Sequence, residues 1–514
     1  MSYLKPVDVR FGWMTVTKMN NNTLTRVLSR RTFLGSSAAF AGATLAQGAL
    51  PAASASNPLL TVGSRTIEVL GRAAKVFGVV GPNGAPGLAA REGDRFSGSL
   101  LNASTGPLQM HWHGQVKAPF DQDRARPDGG ALAIGQSDKH DFELTPGTHW
   151  MHSHTLSEQQ LLAAPMVTRE KDAGDLQEVV IMLHDFAFRT PQEILAELGG
   201  TDAHASDRRQ GPTGRSAATP MQHGPGMMHS MPGQGGGHMM MMGMLHANDV
   251  RYDAYLANER TLTDPEVVKV DKGTRVRLRI INGATATAFF ISTPGAPSEC
   301  VAVDGSPCQP VAAQAYPLAQ GQRIDLIVAI PAGGGAFPVL AQVEGERFVT
   351  GIVLATTGSS IKKLLAVADQ PQSMVDATFE ARLRAVSPLP AKRADRSYMI
   401  MLGEEPGYRW TINGRIHGEH EPFAVRQGDR VEMTFMNPTS MMHPMHLHGH
   451  HFQIVGIRGR LLAGAMRDTV IVPPHLPVTI AFDARHKGSW FLHCHHLYHM
   501  ATGMMANVTY DDIG

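Results

Sequence analysis

Three stretches of this chain repeat one short pattern without a gap. Glu92-Gly93-Asp94-Arg95-Phe96 runs on to Leu100-Leu101-Asn102, Lys272-Gly273-Thr274-Arg275-Val276 to Ile280-Ile281-Asn282, and Gln427-Gly428-Asp429-Arg430-Val431 to Phe435-Met436-Asn437. Glycine and asparagine keep the same offset in each copy, and the residues between them alternate like a half-buried strand. One such match arises by chance, but three in one chain predict three related β-domains. Each would have a turn at the glycine and a strand ending at the asparagine. At 514 residues the chain is too long for a single core. Its 53 Gly and 33 Pro break it into short apolar runs rather than long helical periods, so the expected fold class is mostly β.

The first and third copies extend further in register. Asn102 leads to His111-Trp112-His113-Gly114 and Asn437, at the same offset, to His446-Leu447-His448-Gly449. Downstream, Gly147-Thr148-His149-Trp150-Met151-His152-Ser153-His154 lies over Gly488-Ser489-Trp490-Phe491-Leu492-His493-Cys494-His495. The middle copy has Ile291 and Thr293 where the others have histidines. Domains one and three are therefore expected to carry metal ligands, with domain two keeping the scaffold without them.

Along a strand, residues i and i+2 share a face, so each H-x-H pair presents two imidazoles to one place. A single pair is more often a pair of surface or satisfied histidines. Four pairs in register across a duplication are not, and eight imidazoles between two equivalent domains suit a cluster of three ions. Composition narrows the metal. The chain has 25 His and 28 Met but only 3 Cys, too few thiols for a four-cysteine zinc or iron–sulfur site. Imidazole with soft sulfur favours copper. A formal net charge of +1 gives no reason to expect nucleic acid or an acidic membrane surface as partner.

Cys494, between His493 and His495, points to the opposite face and hence to a separate metal. His443 and His499 complete a two-histidine, one-cysteine set with Met504 as weak axial ligand, the blue-copper arrangement used for electron transfer. The link from Cys494 to the cluster histidines spans on the order of 10 Å at strand rise, which wires a one-electron acceptor to a multi-copper centre. Ser153 replaces Cys494 in domain one, so no second such site is expected there.

H-W-H-G, H-S-H, H-P-M-H-L-H-G-H and H-C-H-x-x-x-H-x-x-x-G-M together resemble the four copper motifs of the bacterial three-domain multicopper oxidases. The Leu-Tyr-His-Met wording is closest to the copper-resistance (cuprous) oxidases, with laccases as further relatives. The resemblance implies three cupredoxin-like Greek-key β-barrel or sandwich domains and four copper ions. By it, His443, Cys494, His499 and Met504 hold type 1 copper, and His111 and His446 hold type 2. His113, His152, His154, His448, His493 and His495 hold the type 3 pair. One-electron oxidation of a reductant at type 1 would then drive four-electron reduction of dioxygen to water. Many relatives carry acidic residues beside the position of His499, where this chain has Tyr498 and Met500. For a proton donor the family often uses an Asp downstream of the first motif. Asp128 is the candidate, with Asp121 or Asp123 as alternatives because Gln115–Arg126 is lengthened, and Glu158 as a further one.

Met227, Met228, Met231, Met239, Met240, Met241, Met242 and Met244 crowd a Gly-rich tract with His229 and His238. Thioethers are soft donors that select Cu(I), and no helical period survives the glycines to make these residues a core. A disordered low-complexity loop is the competing explanation. Cu(I) is thus the expected reductant. A small phenol or aromatic amine, as in a laccase-like oxidase, is the first alternative, and a copper-sequestering protein the second. A copper nitrite reductase would not need the full four-motif set.

Ser29-Arg30-Arg31-Thr32-Phe33-Leu34, a small apolar stretch and Ala53-Ser54-Ala55 form an export leader, and the paired arginines resemble the twin-arginine type. This predicts a periplasmic protein handled by that export machinery and not stably inserted in a membrane, with Met14 or Met19 as alternative starts. The expected organisation is leader and N-terminal extension 1–55, domain one 56–190, Met/His/Gly-rich insert 200–247, domain two 248–360, a linker with some helical character around 361–390, and domain three 375–514. Cys300 and Cys308, in domain two, bracket a turn across which they could pair in an oxidising compartment.

Overall fold

The repeated glycines sit in turns with positive φ, +95° at Gly93, +74° at Gly273 and +91° at Gly428, a conformation open to glycine without strain. The strands that follow run Arg95–Ala103, Arg275–Asn282 and Arg430–Met436. Each repeated asparagine is buried and does the same work. Asn102 Nδ2 donates to the carbonyls of Gly106 and Leu132, both at 2.9 Å, and Asn282 to those of Thr287 and Leu318, both at 2.9 Å. Asn437 donates to Met441 at 2.7 Å and Val472 at 2.8 Å. One side chain thus donates to two carbonyls, tying the end of its strand to a loop and to a neighbouring segment.

The computed structural model describes residues 59–81, 83–207 and 247–511. The leader over 1–55 and the methionines between 227 and 244 lie outside the described residues. Within them, six sheets pack in pairs into three β-sandwiches. In the first, Leu60, Phe96 and Phe142 of one sheet meet Met110, Trp112 and Met166 of the other. In the second, Val276, Leu278 and Leu326 meet Phe289, Ile291 and Ile352, so Ile291 fills with core the position that elsewhere carries a histidine. In the third, Val431, Phe435 and Ile480 meet Met445, Leu492 and Val508. No helix among the described residues is long and apolar enough to cross a membrane.

One expectation is corrected here and another narrowed. The strand Gln177–Phe186, expected at the end of domain one, pairs in parallel with Arg275–Asn282 and antiparallel with Ala254–Ala257. It belongs to the second sandwich, so the first ends before it rather than at 190, and in sequence the methionine-rich stretch falls between two strands of one sheet. In the segment 361–390, helical structure is confined to a 3-10 turn at Glu380–Arg382.

The strand Arg275–Asn282 is buried on both faces, unlike its alternating counterparts. Arg277 and Arg279 project from it toward the first sandwich. Arg277 pairs with Glu170 at 2.8 Å and Asp325 at 2.6 Å, and Arg279 with Glu170 at 2.6 Å and Glu178 at 2.8 Å. Buried guanidiniums are tolerated only with this degree of pairing. Cys300 and Cys308 stand in the same sandwich as buried free thiols with sulfurs 3.8 Å apart.

Candidate metal centre

Antiparallel pairing brings the histidines together. His111 on the strand Met110–His113 lies opposite His152 on Gly147–Ser153, and His446 on His443–Leu447 lies opposite His493 on Ser489–Cys494. The first and third sandwiches present these faces to each other with near two-fold symmetry. The rings of His111 and His448 stack at 3.7 Å between centroids, and those of His113 and His446 at 3.8 Å. All eight motif histidines are buried.

Their ring nitrogens converge in three groups that each fit one ion: His113, His152 and His495; His154, His448 and His493; and His111 with His446, beside His113. Nε2 of His111 is 3.2 Å from Nε2 of His446, and Nε2 of His493 is 3.2 Å from that of His154 and 3.0 Å from that of His448. Nε2 of His495 is buried with no hydrogen-bond partner. Burial, helped by the neighbouring rings, holds His113, His154, His446, His448 and His495 well below the ordinary imidazole value, and burial takes His493 to about 3. Neutral imidazoles with converging lone pairs are what a metal requires.

The opposite nitrogens are fixed by oxygen acceptors, the usual device for orienting metal-binding histidines. His111 Nδ1 donates to Asp123 at 2.7 Å and His113 Nε2 to Asp468 at 3.0 Å. His152 Nδ1 lies 3.0 Å from Glu158, and His448 Nδ1 donates to the carbonyl of Ala125 at 3.2 Å. Burial alone would raise the Asp468 carboxyl, but the Arg323 guanidinium holds it below its usual value.

Asp128 is not at this site. Its side chain is 77% exposed and pairs with Arg126 at 3.1 Å. Asp121 is exposed too, in the 3-10 turn Phe120–Gln122, and that turn swings Asp123 inward, where it is buried. Glu158 is buried against His152.

Facing away from the cluster, Sγ of Cys494 lies 3.6 Å from Nδ1 of His443 and 3.7 Å from Nδ1 of His499. The two Nδ1 atoms are 3.2 Å apart. Met504 is fully buried beside them, its carbonyl accepting from Cys494 N at 3.0 Å and its N–H donating to His499 O at 2.9 Å. Burial pushes the Cys494 thiol up and both imidazoles down, His499 to about 3. Nε2 of His443 bonds Thr439 Oγ1 at 2.8 Å, while Trp410 stacks on His499 at 3.8 Å.

Asp249 is the residue that motif spacing missed. It lies 3.1 Å from His496 and 3.5 Å from His499, and Tyr408 donates its hydroxyl to it. Burial would raise its carboxyl, but the two histidines hold it well below the usual value. An acidic group therefore does reach His499, from the segment just after the methionine-rich stretch rather than from positions 498 and 500.

Comparison with known proteins agrees with this geometry. Family models described as multicopper oxidase match residues 61–172, 215–359 and 390–513. The chain is 31% identical over 433 residues to multicopper oxidase MmcO of Mycobacterium tuberculosis, covering 83% of this chain and 81% of that protein. It is 23% identical over 566 residues to copper resistance protein A of Escherichia coli, covering 88% and 92%. Among solved structures, that of Fet3p, a multicopper oxidase that functions in iron import, superposes with a TM-score of 0.70 at 16% identity, covering 88% and 90%. The laccase from Botrytis aclada gives 0.68 at 21%, covering 88% and 87%, so the three sandwiches share the cupredoxin-like fold. Matched by family models along most of its length, and carrying histidine clusters that suit four copper ions, the chain belongs to the multicopper oxidases, oxidoreductases that take oxygen as their acceptor.

Proposed function

We propose that this oxidase takes Cu(I) as its reductant and supports copper tolerance in the periplasm, to which a twin-arginine leader directs it. His443, Cys494, His499 and Met504 hold type 1 copper, His111 and His446 type 2, and His113, His152, His154, His448, His493 and His495 the type 3 pair. Bound copper supplies one-electron acceptance at the cysteine site and reduction of oxygen at the histidine cluster, four electrons and four protons converting one O2 to two waters. Asp123 and Glu158, each against a cluster histidine, hold those rings and are the proton-handling carboxylates.

The observation that carries the choice of reductant is the cover over His499. Its ring is fully buried beneath Trp410, and among the described residues the carboxylate on it is Asp249, held well below the usual value and still 20% exposed at its side chain. Such a surface attracts a small cation and gives a bulky phenol no imidazole edge to touch. Asp249 follows closely on the methionines from 227 to 244, soft donors suited to delivering Cu(I). Relatives named copper resistance protein A agree with this reading, and relatives named laccase keep aromatic oxidation as the second one.

Oxygen uptake by the copper-loaded protein, with Cu(I) and with a bulky phenol, before and after removal of 221–246, tests the proposal. Cu(I) should be the better reductant, and its advantage should disappear with the deletion. If deletion leaves Cu(I) turnover and the copper sensitivity of cells unchanged, the proposal fails. Faster phenol oxidation would favour a laccase with a gate, and copper far above four ions per chain with negligible oxygen uptake a sequestering protein.

A further inference from the structure

The second sandwich supplies no histidine ligand, yet one of its turns lies against the cluster. Ala319-Gln320-Gly321-Gln322-Arg323 connects the strands Tyr316–Leu318 and Arg323–Ala329, and every residue in it is buried. Connecting turns normally run over the surface. The first sandwich contains the same turn, Ala133-Ile134-Gly135-Gln136-Ser137, built on the same bonds. Gly135 N donates to Asn102 O at 2.7 Å and Asn102 N to Gln136 O at 2.9 Å; Gly321 N donates to Asn282 O and Asn282 N to Gln322 O, both at 3.0 Å. The glycines match in φ, +77° and +79°. Their surroundings differ. Residues 133–137 are exposed, Ile134 at 58%.

The buried copy is fitted to the metal-binding side chains. A Cβ on Gly321 would meet Cδ2 of His495 at 2.6 Å, whereas one on Gly135 would meet nothing within 4 Å. Gln322 Nε2 donates to the carbonyl of Thr469 at 3.0 Å, and Thr469 Oγ1 lies 3.3 Å from Nε2 of His113 and 3.2 Å from Nδ1 of His446. Arg323, fully buried where its counterpart is the exposed Ser137, directs both terminal nitrogens at Asp468, Nη1 to Oδ1 at 2.7 Å. It also donates to the carbonyls of Thr148 at 3.1 Å and Gly321 at 2.9 Å. A guanidinium is costly to bury, and this one is compensated by a planar fork matched to a carboxylate. Asp468 in turn accepts from Nε2 of His113, which leaves His113 Nδ1 facing His152 Nε2 at 3.4 Å.

We propose that the turn Gly321–Arg323 is a built wall of the histidine cluster: Gly321 leaves the room that His495 occupies, and Arg323 is a positioning residue that fixes Asp468 and through it His113. The copper-free repeat thus takes part in the oxygen-reducing centre by shape and hydrogen bonding. This rests on the copper assignments proposed above.

The test uses the full-length, copper-loaded protein and four variants, Gly321→Ala, Gly135→Ala, Arg323→Gln and Arg323→Lys. Copper per chain under chelator competition, the near-ultraviolet absorption of the coupled type 3 pair and the visible thiolate–copper band of the Cys494 site are recorded for each. G321A and R323Q should weaken cluster copper binding by about tenfold or more, the usual consequence of losing groups that orient metal-binding histidines, and alter the near-ultraviolet absorption of the type 3 pair while the visible band stays. G135A, with the same backbone strain and an open surrounding, should leave both signals unchanged. R323K keeps the charge without the fork, and it should alter the type 3 absorption in a folded protein even if G321A does not fold. A G321A protein that matches G135A, or R323Q and R323K with the wild-type type 3 absorption, overturns the inference alone. A wild-type chain that does not take up four copper ions overturns the copper assignments with it.

Discussion

The carboxylate of Asp123 lies 2.7 Å from Nδ1 of His111, while Asp128, on the same loop, stands in solvent against Arg126. The Asp123→Asn variant keeps the shape and loses the charge, and oxygen uptake at saturating reductant should fall on the order of 10–100-fold. Asp128→Ala should be indistinguishable from wild type in the same assay. Equal effects would remove Asp123 from the machinery.

Asn437 ties the carbonyls of Met441 and Val472 together just ahead of His443. Asn437→Ala removes both of these bonds, which costs about 1–3 kcal/mol at the usual net value for each. Because the Met441 loop also carries Thr439, which bonds His443, the visible band of the cysteine site should shift as well. Asn102→Ala should lower the denaturation midpoint by a similar amount without moving that band.

Glu344 is buried in the second sandwich, and burial raises its carboxyl to about 7 against the opposing N–H of Val375. The folded chain therefore keeps a proton that the unfolded chain releases near 4.5. Its contribution is full below that value and is lost as pH rises through about 7, a change of about 3 kcal/mol at most. Denaturant midpoints at pH 5 and pH 8 should show the wild type losing stability relative to Glu344→Gln as pH rises. Parallel behaviour of the two proteins would refute this.

Asp249 is the carboxylate over His499. Asp249→Ala should raise the KM for Cu(I) about tenfold, the scale on which a focused charge accelerates encounter, and leave the KM for a phenol unchanged or lower. An unchanged KM for Cu(I) would place cation recognition elsewhere.

Much of this centre was legible because its pattern is local. Alternation along a strand puts His111 with His113 and His493 with His495 on one face and Cys494 on the other, whatever the rest of the chain does. The repeated Gly and Asn announced three domains, and the missing histidines at Ile291 and Thr293 marked the second as bare scaffold. The strand Gln177–Phe186 escaped, since an apolar run does not say which sheet it will join. In the sequence Asp123 is only one of several acids in one loop, and the direction of each depends on the turn Phe120–Gln122.

The sequence by itself therefore determined the side-chain types of the proposed ligands, their pairing on strands and the separation of the cysteine from the histidine cluster. The tertiary structure alone decided which carboxylates and which guanidinium hold those ligands. Asp249, Asp468 and Arg323 reach the site from distant strands and loops and follow no spacing rule. Acidic and basic residues are common on any surface, and only the meeting of three sandwiches removes Asp468 and Arg323 from water and makes their pairing matter.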